Sequence, residues 1–175
     1  EAADRVTKAA QPRMRVFAGP NGSGKSTIQY RLLPEWIGVY VNADDIERQL
    51  RQTGTLDLNA FDLRGAPLAL QQDLREHLSK SVLLKKHGLE QVAAQLTVAP
   101  DLRLHLPRET VNAYVAAVLA DAIRRTLLAQ GRTFTFETVM SSPDKIDFMR
   151  EAQELGYRTY LYFVATDDPE INIRA

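Results

Sequence analysis

The residues with the clearest chemical meaning lie near the start of the chain, where a glycine-rich segment ends in lysine and serine. Residues 19–26 read GPNGSGKS and fit the P-loop pattern G-x-x-x-x-G-K-[ST]. Glycines let the backbone turn tightly and direct several N–H groups into one concavity. In such a loop we expect Lys25 to reach the β- and γ-phosphates of a nucleotide and the Ser26 hydroxyl to ligate Mg²⁺. The predicted phosphate-binding residues are Gly19, Pro20, Asn21, Gly22, Ser23, Gly24, Lys25, Ser26 and Thr27.

The sequence around this loop narrows the class of nucleotide-binding protein. An apolar segment at residues 13–18 precedes the loop, and a segment with helical spacing follows it, which is the strand–loop–helix order that a P-loop requires. The chain contains neither the N-K-x-D motif of guanine-specific GTPases nor an ABC-type signature. Together with a length of 175 residues, this favours a small kinase-like protein in which a second molecule receives the γ-phosphate.

Two acidic positions follow predicted strands and are candidates for the acceptor side of such a reaction. A kinase needs a carboxylate that positions the acceptor hydroxyl and takes its proton. Asp44 follows a short apolar strand at residues 39–41, and Glu137 follows the apolar segment 134–136. Ligands of open α/β sheets bind at the carboxyl ends of the strands, so both positions qualify. Each also has a structural interpretation, because Asp44 fits the start of a helix-capping box and Glu137 is a charge at a strand end.

Strands alternate with helices along most of the chain, and this order predicts the fold. Apolar segments indicate strands at residues 13–18, 39–41, 134–136 and 159–164. Helical periodicities indicate helices at residues 25–33, 44–51, 110–130 and 143–155. The strand at 159–164 is almost entirely apolar, as expected for a buried strand of a parallel sheet. We therefore predict an α/β fold with three layers, in which a mainly parallel sheet is flanked by helices.

Residues 55–109 form the least regular part of the chain and are predicted to be a mainly helical insertion. Periodicity indicates a helix at 67–84, and alternation indicates a strand at 101–107, while 89–98 fits either element. At about 50 residues the segment is small for an independent core. We therefore predict a single domain over residues 1–175. Two local predictions concern its helices: Pro34 ends the first one, and Ile146, Met149, Ala152 and Leu155 line one face of the helix at 143–155.

Composition excludes several function classes. The chain has 22 Lys and Arg residues and 22 Asp and Glu residues, so its formal net charge is zero. A protein that binds the phosphates of nucleic acid usually has a basic excess, so the composition argues against such a protein. The absence of cysteine removes disulfide scaffolds, thiol nucleophiles and cysteine-based zinc sites. His77, His87 and His105 lack metal-ligand spacing and are expected at surface or core positions. No apolar run approaches the roughly 20 residues of a membrane span. We expect a cytoplasmic protein that does not bind membranes.

The order of five segments resembles the zeta-toxin family of P-loop kinases. These segments are AGPNGSGKST at 18–27, VNADDI at 41–46, FTFET at 134–138, GYR at 156–158 and YLYFV at 160–164. The resemblance covers roughly residues 13–54 and 110–175 and does not include the stretch between them. The P-loop alone is shared by very many families, whereas the ordered combination with the other segments is much more specific.

The resemblance implies an ATP-dependent bacterial kinase that uses Mg²⁺ and phosphorylates a sugar hydroxyl of UDP-N-acetylglucosamine. It places the base for the acceptor hydroxyl at Asp44 and the residues that hold the sugar nucleotide at Glu137 and Thr138. It also implies an antitoxin protein as partner, which masks the ATP site. In the family a lid with phosphate-gripping arginines follows the fourth strand. Arg174 is the candidate for that role here, and we expect the natural chain to continue beyond Ala175.

Two other functions are compatible with the P-loop. One is an ATPase or nucleotide-dependent switch, in which water is the acceptor and a protein partner recognises the bound state. The other is a binding module that has lost catalysis. ATP hydrolysis that is indifferent to candidate sugars indicates the first, and ATP affinity without turnover indicates the second.

Overall fold

The computed structural model describes residues 11–20, 22–139 and 143–165, apart from the side chains of residues 26 and 29. Its strands are β1 (Arg13–Ala18), β2 (Val39–Val41), β3 (Thr55–Asp57), β4 (Thr97–Val98), β5 (Arg103–His105), β6 (Phe134–Thr138) and β7 (Arg158–Phe163). Its helices are α1 (Lys25–Gln29), α2 (Pro34–Ile37), α3 (Ala43–Thr53), α4 (Pro67–Lys80), α5 (Val82–Lys86), α6 (Val92–Gln95), α7 (Ala113–Ala129) and α8 (Asp144–Glu154). None of the described helices is long and apolar enough to cross a bilayer.

Within the described part of the chain, the main sheet has four strands in the order β2-β6-β1-β7, and every pair is parallel. Strand β1 is central, with Val16 opposite Phe136 of β6 on one side and Leu161 of β7 on the other. Because β1 has a strand on both sides and is covered on both faces, its residues from Met14 to Ala18 are buried. A strand in that position needs a nearly continuous apolar sequence, which is why β1 was recognisable from its sequence.

Helices cover both faces of this sheet. On one face the Thr135 hydroxyl of β6 donates to the carbonyl of Ile37 at the end of α2, at 2.6 Å. On the other face Phe136 of β6 contacts Phe148 of α8, with ring centroids 5.9 Å apart, and the guanidinium of Arg124 on α7 lies over the same Phe136 ring. Successive side chains of β6 point to opposite faces of the sheet, so these contacts place helices on both faces. The α/β fold with a parallel sheet flanked by helices is confirmed.

The segment at 55–109 packs directly onto the main sheet's helices. Its strands form an antiparallel sheet in the order β3-β5-β4, with Leu56 of β3 opposite Leu104 of β5. The strand predicted at 101–107 corresponds to β5, whereas β3 was not predicted as a strand and β4 lies in the segment 89–98, which fitted either element. The buried residues of α4 join those of α7 in one continuous cluster, which includes Leu70, Leu74, Leu78, Leu119 and Ile123. The predicted insertion is therefore part of the core on that side of the sheet.

The C-terminal end of α7 is held by one tyrosine hydroxyl. Tyr157, in the loop before β7, places its Oη 3.2 Å from the carbonyl oxygen of Leu127, 3.1 Å from that of Leu128 and 2.9 Å from that of Arg132. The last carbonyls of a helix have no partner within the helix, so a buried donor at this point stabilises its end. Burial raises the pKa of Tyr157 to about 12, against a smaller opposing effect of the Arg132 charge.

Two predicted helix boundaries are wrong, and both errors have local causes. The first helix ends at Gln29, and Pro34 begins α2 instead of ending the helix before it, because proline is tolerated at the first helical position. The predicted helix at 67–84 is interrupted at Ser81, whose ψ of 117° is extended. The Ser81 hydroxyl then accepts a hydrogen bond from the Leu84 amide at 3.2 Å and begins α5. A serine of this kind ends one helix and caps the next.

Near the end of the described chain, the apolar face of α8 is only partly buried, and the prediction that the last strand is buried is wrong. In α8 the buried residues are Phe148 and Ala152, whereas Ile146 is 44% exposed and Leu155 is 57% exposed. The aromatic ring of Phe148 fits against Phe136 and determines which face turns inward. Strand β7 lies at the edge of the four-stranded sheet and pairs only with β1, so Leu161 and Phe163 are exposed among the described residues.

Candidate functional site

The glycine-rich loop connects the central strand β1 to α1, and its shape depends on glycine at position 19. The φ angle of Gly19 is +152°, and a Cβ atom there would lie 2.1 Å from the carbonyl oxygen of Val164. The Gly19 amide donates to the carbonyl of Thr138 at 3.2 Å, and the Val164 amide donates to the carbonyl of Ala18 at 2.7 Å. The start of the loop is therefore held between the ends of β6 and β7, with no room for a side chain.

Two polar groups in the loop fit a phosphate ligand. Ser23 is 8% exposed, and its hydroxyl oxygen has no hydrogen-bond partner among the described residues. Lys25 is equally buried, and its ammonium donates to the carbonyls of Gly19 at 2.8 Å and Pro20 at 2.6 Å. Gly22 and Gly24 have φ angles of +73° and +87°, which only glycine adopts without strain. A buried hydroxyl that lacks a hydrogen-bond partner among the described residues can bind a phosphate oxygen, and so can a buried cation.

A single cleft of about 1450 Å³ extends from this loop along the carboxyl ends of the strands. The predicted site residues that line it are Gly22, Gly24, Lys25, Thr27, Asp44, Glu137 and Thr138. Gly19, Pro20 and Ser23 form the body of the loop behind it. Asn21, the Ser26 side chain and Arg174 lie outside the described part of the chain, so their predicted roles, including Mg²⁺ ligation by Ser26, stay predictions. No group of three metal-ligating side chains occurs among the residues that the structure describes.

Asp44 reaches the cleft from the first turn of α3. The helix is capped by Asn42, whose side-chain oxygen accepts a hydrogen bond from the Asp44 amide at 2.8 Å. The proposed capping role of Asp44 is therefore wrong, because Asn42 occupies the cap position and Asp44 lies within the helix. Glu47, the other member of that capping box, pairs with Arg51 at 2.8 Å instead. The exposed carboxylate of Asp44 is available to the cleft.

Glu137 is half-buried at the end of β6 and is contacted by a residue that sequence reasoning did not single out. The hydroxyl of Tyr40, on the neighbouring strand β2, donates a hydrogen bond to Glu137 Oε1. Burial raises the pKa of the Tyr40 hydroxyl well above its usual value, and the hydrogen bond and charge of Glu137 raise it further. Tyr40 is the middle residue of β2, just before the segment 42–44. Only the pairing of β2 with β6 shows that it lies near Glu137.

The far wall of the cleft contains a charge cluster, comprising His77 of α4 with Asp121, Arg124 and Arg125 of α7. Asp121 lies 3.0 Å from His77 Nε2, 2.9 Å from Arg124 Nη2 and 3.0 Å from Arg125 Nε. Burial alone would raise the pKa of Asp121, but the hydrogen bond from His77 and the charges of both arginines outweigh it and hold that pKa well below its usual range. The His77 contact links the segment at 55–109 to the wall of the cleft.

Arg124 is the buried member of this charge cluster. Its side chain is 7% exposed, and its guanidinium lies 4.6 Å from the ring centroid of Phe136, one residue before Glu137. The cluster was not identified from the sequence, although acidic and basic residues at i, i+3 and i+4 in an otherwise apolar helix were a usable signal. His77, expected at a surface or core position, is partly exposed and lines the cleft beside Asp121.

Similarity of this chain to known proteins is found among solved structures. No protein-family model and no curated protein matches the chain. A matching solved structure comes from the molecular and structural characterization of the PezAT chromosomal toxin-antitoxin system of the human pathogen Streptococcus pneumoniae. The match has 20% sequence identity and a TM-score of 0.49, and it covers 93% of this chain and 49% of the other. This chain thus spans about half the length of the one it matches.

Proposed function

We propose that this protein transfers the γ-phosphoryl group of Mg·ATP to a hydroxyl of a small-molecule acceptor. The motif resemblance favours a nucleotide sugar such as UDP-N-acetylglucosamine. One observation carries the proposal: a single cleft joins the P-loop lysine to Asp44 and Glu137, which come from two other parts of the chain. Two carboxylates that line the same cleft as the P-loop supply what an acceptor hydroxyl requires, which is a group that positions it and takes its proton.

The size of the cleft supports two ligands. Pockets for one small molecule usually have volumes of about 300–1000 Å³, and the cleft has about 1450 Å³. P-loop residues line part of the cleft, and Asp44, Glu137 and Thr138 line it as well. This arrangement leaves space for an acceptor next to the nucleotide.

Each residue has a defined part in the proposed reaction. When bound, Mg·ATP supplies the phosphoryl group, and Lys25 exchanges the carbonyls of Gly19 and Pro20 for phosphate oxygens. Asp44 orients the acceptor hydroxyl and accepts its proton as the oxygen bonds to the γ-phosphorus. The bond from that phosphorus to the β–γ bridging oxygen breaks, and ADP leaves with both electrons of that bond. Glu137 and Thr138 hold the acceptor in place.

The acidic residue at position 44 provides a sharp test because its neighbour is a matched control. Asp45 is also exposed in the first turn of α3, but it pairs with Arg48 and does not line the cleft. The protein is incubated with Mg·ATP and UDP-N-acetylglucosamine, and mass spectrometry detects the addition of one phosphoryl group. Asp44→Asn is expected to lower acceptor phosphorylation by about 100-fold or more while ATP binding stays intact. Asp45→Asn is expected to retain activity.

The outcomes separate the candidate functions. Lys25→Ala is expected to abolish turnover, since the cation that balances the phosphate charge is lost. Full acceptor phosphorylation by Asp44→Asn would remove Asp44 from the role of base. ATP hydrolysis without any phosphorylated acceptor would favour the ATPase or switch. An antitoxin partner, which follows from the motif resemblance, would be tested by whether a co-purifying protein blocks ATP binding.

A further inference from the structure

We infer that Tyr40 is a positioning residue whose hydroxyl holds the Glu137 carboxylate in place on the acceptor side of the cleft. The inference rests on the proposed function, because it concerns the acceptor side of the same cleft. Tyr40 itself does not line the cleft. It acts through its hydrogen bond to Glu137 and has no contact with the reacting groups.

The pairing of β2 with β6 brings Tyr40 to Glu137. Tyr40 lies opposite Thr135 in the parallel register, and Glu137 is two residues further along β6 on the same face. A tyrosine side chain is long enough to span this diagonal, and its hydroxyl donates to Glu137 Oε1. A phenol has a single proton to donate, so this contact determines where the hydroxyl hydrogen points. It fixes the position of one carboxylate oxygen of Glu137.

The protonation of the Tyr40 hydroxyl suits this role. Burial and the neighbouring Glu137 carboxylate both raise the pKa of the hydroxyl, so it remains protonated and able to donate across the physiological range. The hydrogen bond joins a neutral donor to a carboxylate, which makes it stronger than a bond between two neutral groups. A phenylalanine at this position keeps the ring but loses the hydrogen bond to Glu137.

Crystal structures and kinetics of Tyr40→Phe test the inference. In the variant the Glu137 carboxylate is expected to shift, because the hydroxyl that donates to its Oε1 is gone. With the acceptor that the wild-type protein phosphorylates, kcat/KM is expected to fall by about tenfold or more, chiefly through KM. The affinity for ATP and the melting temperature are expected to change little. Tyr160→Phe, which alters a half-buried tyrosine of β7 that does not line the cleft, is the matched control.

A second background distinguishes positioning from a general structural effect. If Tyr40 acts through Glu137, adding Tyr40→Phe to Glu137→Ala has little further effect on kcat/KM, since the group it positions is absent. Equal losses in both backgrounds would overturn the inference, as would an unmoved Glu137 carboxylate in the variant crystal. Failure of the proposed function looks different: the wild-type protein then phosphorylates no acceptor, and the position of Glu137 in the two crystal structures still decides the role of Tyr40.

Discussion

Removal of the Asp121 carboxylate by Asp121→Asn is expected to lower the free energy of unfolding by about 2–3 kcal/mol at neutral pH. The magnitude follows from the exposure of the partners. Breaking a fully buried ion pair costs about 3–5 kcal/mol because it leaves a buried charge without its partner. The Arg124 side chain is 7% exposed and fits this case, but Asp121 is 25% exposed, so water recovers part of the loss. The pair with Arg125, which is 44% exposed, adds little.

The effect of this substitution is expected to depend on pH in a defined direction. The folded-state pKa of Asp121 is held below that of an unfolded aspartate, which is about 4. Its contribution to stability is therefore complete above about pH 4 and is lost as the pH falls further towards the folded-state pKa. The stability difference between wild type and Asp121→Asn should shrink over that acidic range.

Urea unfolding at pH 7 and at a series of lower pH values measures both effects. For a chain of this length the neutral-pH loss corresponds to a drop in melting temperature of about 5–10 °C. Asp73→Asn is the control, since Asp73 is an exposed acid of α4 in the same cleft and takes part in none of the ion pairs found among the described residues. A difference below about 0.5 kcal/mol at pH 7, which is typical of surface substitutions, would refute the reasoning. So would a difference that does not change on acidification.

Two further predictions concern the loop and the end of α7. Gly19→Ala places a Cβ atom against the Val164 carbonyl, so nucleotide binding measured by calorimetry should be lost, whereas Gly131→Ala, where the space is open, should spare it. Binding by the Gly19 variant at wild-type affinity would contradict the close approach. Tyr157→Phe should cost about 1–2 kcal/mol in urea unfolding below about pH 10, the pKa of an unfolded tyrosine. Because the folded-state pKa is about 12, that advantage of wild type should disappear as the pH rises through this value, and a constant penalty would count against the argument.

The parts of the site that sequence reasoning predicted are those whose chemistry is local. The P-loop was recognisable because its glycines, lysine and serine are adjacent and follow an apolar strand. Asp44 and Glu137 were found because both come at the carboxyl ends of parallel strands, where ligands bind in such sheets. Their convergence in one cleft needed only that general rule and no knowledge of individual contacts.

The parts that were missed depend on which elements become neighbours. The bond from Tyr40 to Glu137 requires the register of β2 against β6, and the contact of His77 with Asp121 requires α4 to pack on α7. Neither can be read from spacing along the chain. The cap of α3 was predicted two residues too late, because Asn42 and Asp44 are both good capping residues and only the backbone geometry distinguishes them.

The placement of β1 between β6 and β7 has a consequence for the order in which the protein is made. A ribosome completes the whole P-loop sequence early, but the strands that hold Gly19 in place are synthesised more than a hundred residues later. Until then the loop lacks the partners at Thr138 and Val164, and the cleft lacks the Glu137 side of its wall. Such long-range pairing is slow to form because a large loop must close first. Nascent chains that stop before β6 therefore carry the complete motif and no working nucleotide site.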